Sequence, residues 1–141
     1  MFKRILLIGI VVVGALFLAM QLLPYGRQHA NPPVASEPQW PDAKMRELAV
    51  RACFDCHSNQ TEWPWYAQVA PISWVVRNHV DEARARLNFS EWDRPQEGKG
   101  EAAEVVQEGE MPPGYYTLMH RAARLSSAEK SELARGLAGL N

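Results

Sequence analysis

The chain has only two cysteines in 141 residues, and both lie in one pentapeptide, Cys53-Phe54-Asp55-Cys56-His57. Thiols three positions apart on one helical turn reach two vinyl groups on the same edge of a porphyrin. The next residue then sets an imidazole beneath the metal. Two thioether bonds and proximal ligation of iron therefore come from five residues, and the spacing reads as covalent binding of a single c-type haem. A redox dithiol is the first competing reading, but it requires a βαβ setting, and no strand-like alternation surrounds residue 53. Structural zinc needs four ligands, usually with a second close pair, whereas His29, His79 and His120 stand far apart. A disulfide across two intervening residues would close a small loop and stabilise little.

The opposite side of the iron decides between electron transfer and ligand binding, and four side chains compete for it. Met111 leads: it follows a helix end expected at Gly109, and Pro112 and Pro113 hold the chain extended behind it. The competing reading of Met111 is a gap-filler in the core. His79 is the rival ligand, since it falls between Val76 and Ala83 on an apolar helical stripe, where a buried, hydrogen-bonded histidine is the alternative. Met119 and His120 follow Tyr115 and Tyr116 and are expected to pack or cap, and His29 lies in an irregular segment. An open sixth position would instead admit small gases or peroxide. For peroxide chemistry the sequence offers as acid or base only His79, Glu108 and Glu110, so catalysis is not expected.

The elements that must carry these residues read as helices. Residues 5–23 are apolar except for Gln21. At about 1.5 Å per residue they cover roughly 28 Å, close to the hydrocarbon thickness of a bilayer. Lys3 and Arg4 flank the near end and Arg27 alone follows the far end, so the N-terminus is expected in the cytoplasm and the rest outside. The expected location is a bacterial inner membrane, crossed once, with the C-terminal domain in the periplasm or exterior. A cleaved signal is the alternative, although no small-x-small site directly follows Leu23. Residues 1–23 are thus read as an anchor, the proline-rich residues 24–41 as a stiff linker, and residues 42–141 as the haem-binding domain.

In that domain Asp42 reads as a helix cap, and Met45, Leu48, Ala49 and Ala52 make a stripe that leads into Cys53. Ile72, Val75, Val76, Val80, Ala83 and Leu87 mark a second helix, and Ala102, Val105 and Val106 a third ending near Gly109. Ser126-Ser127-Ala128-Glu129 is a capping-box pattern before Leu133, Ala134, Leu137 and Leu140, and Gly136 and Gly139 would let another backbone approach closely. The expectation is an all-α fold, a small helical domain behind one transmembrane helix. After residue 27, 12 basic side chains stand against 16 acidic ones, an excess of four negative charges. That balance argues against nucleic acid and suits a basic redox partner near the membrane. Trp63, Trp65, Tyr66 and Trp74 are dense for so small a domain and are candidates to line a haem pocket, the competing reading being ordinary core aromatics around Pro64. Arg51, Arg77 and Arg84 are candidates to balance propionate charge.

The chain resembles the c-type cytochromes and, more closely, the small bacterial haem-binding-domain family. The likeness rests on Ala52 through Asn59, Trp63-Pro64-Trp65-Tyr66, Ala70-Pro71-Ile72-Ser73-Trp74, Leu87 through Trp92, Gly109-Glu110-Met111-Pro112-Pro113 and Tyr115 through His120. It implies a fold like that of small cytochromes c, thioethers at Cys53 and Cys56, His57 as proximal ligand, and electron transfer between redox proteins in or near the membrane. It further implies a Met-Pro presentation of the distal sulfur at Met111 and Pro112, and a carbonyl at Pro71 to accept the second His57 nitrogen. The first and last helices of the domain are expected to cross closely. Oligomeric state is not fixed by these features.

Overall fold

The computed structural model of the chain describes residues 1–140; Asn141, the last residue of the expected domain, lies outside the described residues. Among the described residues the chain is all-α. Seven α-helices occur there: α1 (Phe2–Met20), α2 (Ala43–Ala52), α3 (Phe54–His57), α4 (Ile72–Arg86), α5 (Ala102–Glu108), α6 (Gly114–Met119) and α7 (Ser127–Ala138). Two compact units divide them. One comprises Met1–His29 and Trp63–His79, the other Ala30–Glu62 and Val80–Asn141, and α4 contributes to both.

The first unit contains α1, whose 19 residues have a mean hydropathy of 2.3 and no buried side chain, long and apolar enough to cross a membrane. It also holds the short 3-10 turn Trp65–Gln68 and the first half of α4.

The second unit holds the core. α2 starts where expected: the Asp42 carboxylate accepts from the Met45 N–H at 2.7 Å, and Met45, Leu48, Ala49 and Ala52 are the buried residues. At α7 the Ser126 hydroxyl and Glu129 carboxylate cap each other's backbone, satisfying two donors that a helix start leaves orphaned. α7 packs on both α5 and α2. At the α2 crossing a Cβ on Gly136 would collide with the Met45 thioether, so the absence of a side chain there sets the helix spacing. The Lys44–Glu132 ion pair at 2.8 Å and the Arg51–Glu129 pair at 2.5 Å flank the same contact. Phe89 stacks between Phe54 (5.6 Å) and Trp92 (5.7 Å) at the centre, with Trp40 tilted against it.

The proline-rich stretch forms no helix, and its second half runs along this unit. Ala35 and Ser36 donate backbone N–H groups to the Ser90 carbonyl, and Trp92 returns one to Ser36. α4 departs from the expected stripe. Val80 and Leu87 are buried, but Ile72 is 49% and Val75 52% exposed. α6 had no sequence-level expectation; none of its residues is buried.

Candidate functional site

The motif occupies α2's C-terminal end and α3. Cys53 is the hinge between the two helices, and its N–H still donates to the Ala49 carbonyl at 2.8 Å. His57 is held at two points by the chain after α4. Its carbonyl accepts from the Phe89 N–H at 2.8 Å, and its ring Nδ1 lies 3.0 Å from the Leu87 carbonyl. A carbonyl only accepts, so Nδ1 carries the proton and Nε2 keeps its lone pair. Burial lowers the imidazole's proton affinity, against the pull of the Leu87 and Ala83 carbonyls, which favours the neutral ring that a metal requires.

A buried polar network fixes this arrangement. The Asn88 amide donates to Asn59 Oδ1 (2.8 Å), the Asn59 N–H to the Ser90 hydroxyl (2.9 Å), and the Ser90 N–H to Asn88 Oδ1 (2.9 Å). The Arg84 guanidinium spans the Ser58 and Ala30 carbonyls, Asn31 Oδ1 and the Thr61 hydroxyl, all within 2.7–2.9 Å. The segments Ser58-Asn59 and Leu87-Asn88-Phe89-Ser90, whose roles the sequence left open, thus orient the motif histidine.

Cys53 and His57 line a cavity of about 260 Å3 in the second unit, and Met111 lines the same cavity. Its apolar wall includes Leu87, Phe89, Val105, Val106 and Leu137, and its rim carries Arg86, Glu101 and Glu110. Met111 is positioned by the end of α5. Gly109 adopts a left-handed conformation (φ 82°), and the Val105 carbonyl then accepts the N–H groups of both Glu110 and Met111 at 3.0 Å. The Met111–Pro112 peptide is cis. Tyr116, just beyond, donates its hydroxyl to the Asp55 carboxylate in the middle of the motif (2.6 Å).

Burial and then the neighbouring Cys56 push the Cys53 thiol up to about 12; burial, then the Asp55 charge, push Cys56 up to about 11. Thiols so held are poor thiolates, which disfavours dithiol redox chemistry. Among the described residues no cluster of three or more His, Cys, Asp or Glu side chains is placed to hold a metal ion by itself.

Other expected site residues lie elsewhere. The Pro71 carbonyl accepts from Trp74 and Val75 in the first turn of α4, so the second nitrogen of His57 is met by Leu87 and not, as the resemblance implied, by Pro71. Trp63, Trp65, Tyr66, Trp74 and His79 belong to the first unit, and none lines the cavity. Trp63 stacks on His29 at 4.4 Å, Trp65 meets Tyr66 edge-on, and His79 is exposed instead of facing a core. Cys56 and Pro112 adjoin the cavity through His57 and Met111 without lining it themselves. Met119 is 64% exposed, and His120 stacks on Tyr116 at 4.2 Å over a second cavity, of about 430 Å3, that also includes Asp55. Arg51 pairs with Glu129, Arg77 bonds the Gln28 carbonyl and Arg84 serves the network above. The cavity's own arginine is Arg86, which sequence reading passed over because nothing local distinguishes it from Arg84.

A model of the haem-binding domain family matches residues 15–138, and the chain belongs to that family. Searches of curated proteins and of solved structures return no match. The donor set fits the group the family is named for: an imidazole with its outer nitrogen committed, a thioether on the same cavity and a largely apolar wall.

Proposed function

We propose that the chain is a membrane-anchored monohaem c-type cytochrome that carries electrons. Cys53 and Cys56 would hold the haem by thioether bonds, and His57 and Met111 would hold its iron. The observation that carries the reading is the meeting of Cys53, His57 and Met111 in one cavity, with His57 Nδ1 already committed to Leu87.

A bound haem would supply one-electron chemistry at its iron. The protein's share is orientation and exclusion. Leu87 and the Asn59–Asn88–Ser90 network fix the ring of His57, so little reorganisation accompanies a change of charge nearby. The Val105 carbonyl holds the Met111 backbone from behind, and Phe89, Val106 and Leu137 keep water from the cavity floor. Arg86, paired with Glu101 at 2.7 Å, puts a positive group at the rim, suited to propionate charge. A thioether opposite an imidazole raises a haem's reduction potential, so a high-potential carrier is expected. His57 and Met111 would both hold the iron in this reading, which suits electron transfer rather than binding of a substrate. α1 would anchor the domain on the outer face of the cytoplasmic membrane, next to redox partners there.

The test is covalency. Protein matured in an export-competent host should keep its haem through denaturing electrophoresis and acidified solvent extraction, and Cys53→Ser with Cys56→Ser should abolish that retention. Colourless wild-type protein, or haem that is fully extracted, would overturn the reading.

A further inference from the structure

The first unit contains no carboxylate. All 16 acidic residues of the chain lie outside Met1–His29 and Trp63–His79, where Lys3, Arg4, Arg27 and Arg77 are the lysines and arginines. Its two segments are fastened together where α1 ends. The Gln21 side chain donates to the Ala70 carbonyl (2.9 Å) and accepts from the Ala70 N–H (3.0 Å), and Arg27 donates to the same Gln21 oxygen (3.0 Å). Gly26, at φ 80°, lies so close to the Ser73 carbonyl that any Cβ would clash. The Tyr25 hydroxyl donates to Asn78, and Arg77 to the Gln28 carbonyl.

Around this fastening, large apolar side chains face outward: Trp65 is 79% exposed, Tyr25 56%, Val75 52% and Ile72 49%. Trp65 stands five residues before Ala70, most of them in the turn Trp65–Gln68. At about 2 Å per residue in a 3-10 turn and about 3.5 Å in extended chain, Trp65 stays within about 15 Å of Ala70, which the Gln21 side chain ties to the end of α1.

We propose that the exposed apolar side chains of this unit, Trp65, Ile72 and Val75, make a second membrane contact, lying in the interfacial layer of the bilayer that α1 crosses. The inference rests on the anchor reading of α1 and extends it. If α1 spans, Gln21 marks its exit, and Ala70, bonded to Gln21 by both its backbone groups, sits at the same level. Trp and Tyr prefer that layer because an apolar ring reaches the acyl boundary while its polar atom stays wet. Arg27 and Arg77 suit lipid phosphates, and the missing carboxylates remove the repulsion that an anionic surface would otherwise impose. The exposed Ile72 and Val75 then satisfy their apolar periodicity against lipid.

The experiment uses the full haem-loaded chain in nanodiscs of phosphatidylethanolamine and phosphatidylglycerol, with a nitroxide on Trp65→Cys or Ile72→Cys and, as control, on the exposed Lys44→Cys. The ratio of collision with oxygen to collision with a water-soluble nickel chelate should be several-fold higher at residues 65 and 72 than at 44. Equal ratios at all three sites would overturn the proposal, and so would labels shielded from both agents, which would mean that a protein covers the face. Alkaline carbonate extraction of native membranes reports the anchor separately. Release into the supernatant would sink the anchor and this surface with it, whereas retention with water-exposed labels would sink this surface alone.

Discussion

Gly136→Ala tests the contact that brings the helix before Cys53 onto the helix closing the cavity. The added Cβ would collide with Cγ, Sδ and Cε of Met45, which is 5% exposed. Because the Met45 arm is flexible, the cost should fall in the lower half of the about 1–3 kcal/mol typical of overpacking. Replacing a helical glycine by alanine offsets this by up to about 1 kcal/mol. The single variant should therefore be destabilised by no more than about 1 kcal/mol, or about 4–8 °C in Tm for a domain of this size. The informative quantity is the coupling. Met45→Ala alone should cost about 2–5 kcal/mol by emptying a buried site. In that background the obstruction is gone, so Gly136→Ala should become stabilising by up to about 1 kcal/mol, a coupling of about 1–2 kcal/mol. Guanidinium titration of the four proteins, followed by far-ultraviolet circular dichroism, measures it. Identical effects of Gly136→Ala in the two backgrounds, within about 0.5 kcal/mol, would refute the close crossing of α2 and α7.

Arg84→Ala should cost about 2–4 kcal/mol in thermal or chemical unfolding, since the Ser58 and Thr61 acceptors it serves are buried. Arg84→Lys should recover little of that loss, because an ammonium cannot span the same fork. Tyr116→Phe removes a 2.6 Å bond to the Asp55 carboxylate and should lower stability by about 1–2 kcal/mol, read from the Tm shift. The Arg51 side chain, then the Ser126 backbone and hydroxyl, hold the Glu129 carboxyl down to about 2, from an ordinary 4.5. A depressed carboxylate stabilises the folded state above its unfolded value, and that contribution fades as pH falls from about 4.5 through about 2. Glu129→Gln should therefore flatten the acid limb of stability in that window, and a Glu129 carboxyl titrating near 4.5 by NMR would contradict the cause given.

What could be read in the sequence was what short-range rules govern. Asp42 capping α2, the Ser126–Glu129 box and the turn at Gly109 each depend on a few neighbouring residues, whereas the crossing of α2 and α7 at Gly136 followed from the resemblance to small cytochromes. The partner of His57 was not legible that way, because Leu87 stands thirty residues away and is brought in by a network of asparagine and serine side chains with no periodic signal. Expecting Pro71 there placed the carbonyl on the wrong segment, since that carbonyl is consumed in starting α4. For Trp63, Trp65, Tyr66 and Trp74 the sequence leaves two readings open, haem-pocket lining and ordinary core aromatics around Pro64. Composition does not say which unit of the fold an indole joins. The stripe of α4 shows the same limit: periodicity finds that Ile72 and Val75 share an apolar face, but not whether protein or lipid covers it.

The measurement that bears most directly on the central claim is the red charge-transfer absorption of the oxidised, haem-loaded protein. Thioether ligation by Met111 predicts a weak band that persists in His79→Ala and disappears in Met111→Ala. A band missing from the wild type, or one that survives Met111→Ala, would contradict the proposal that Met111 holds the iron together with His57.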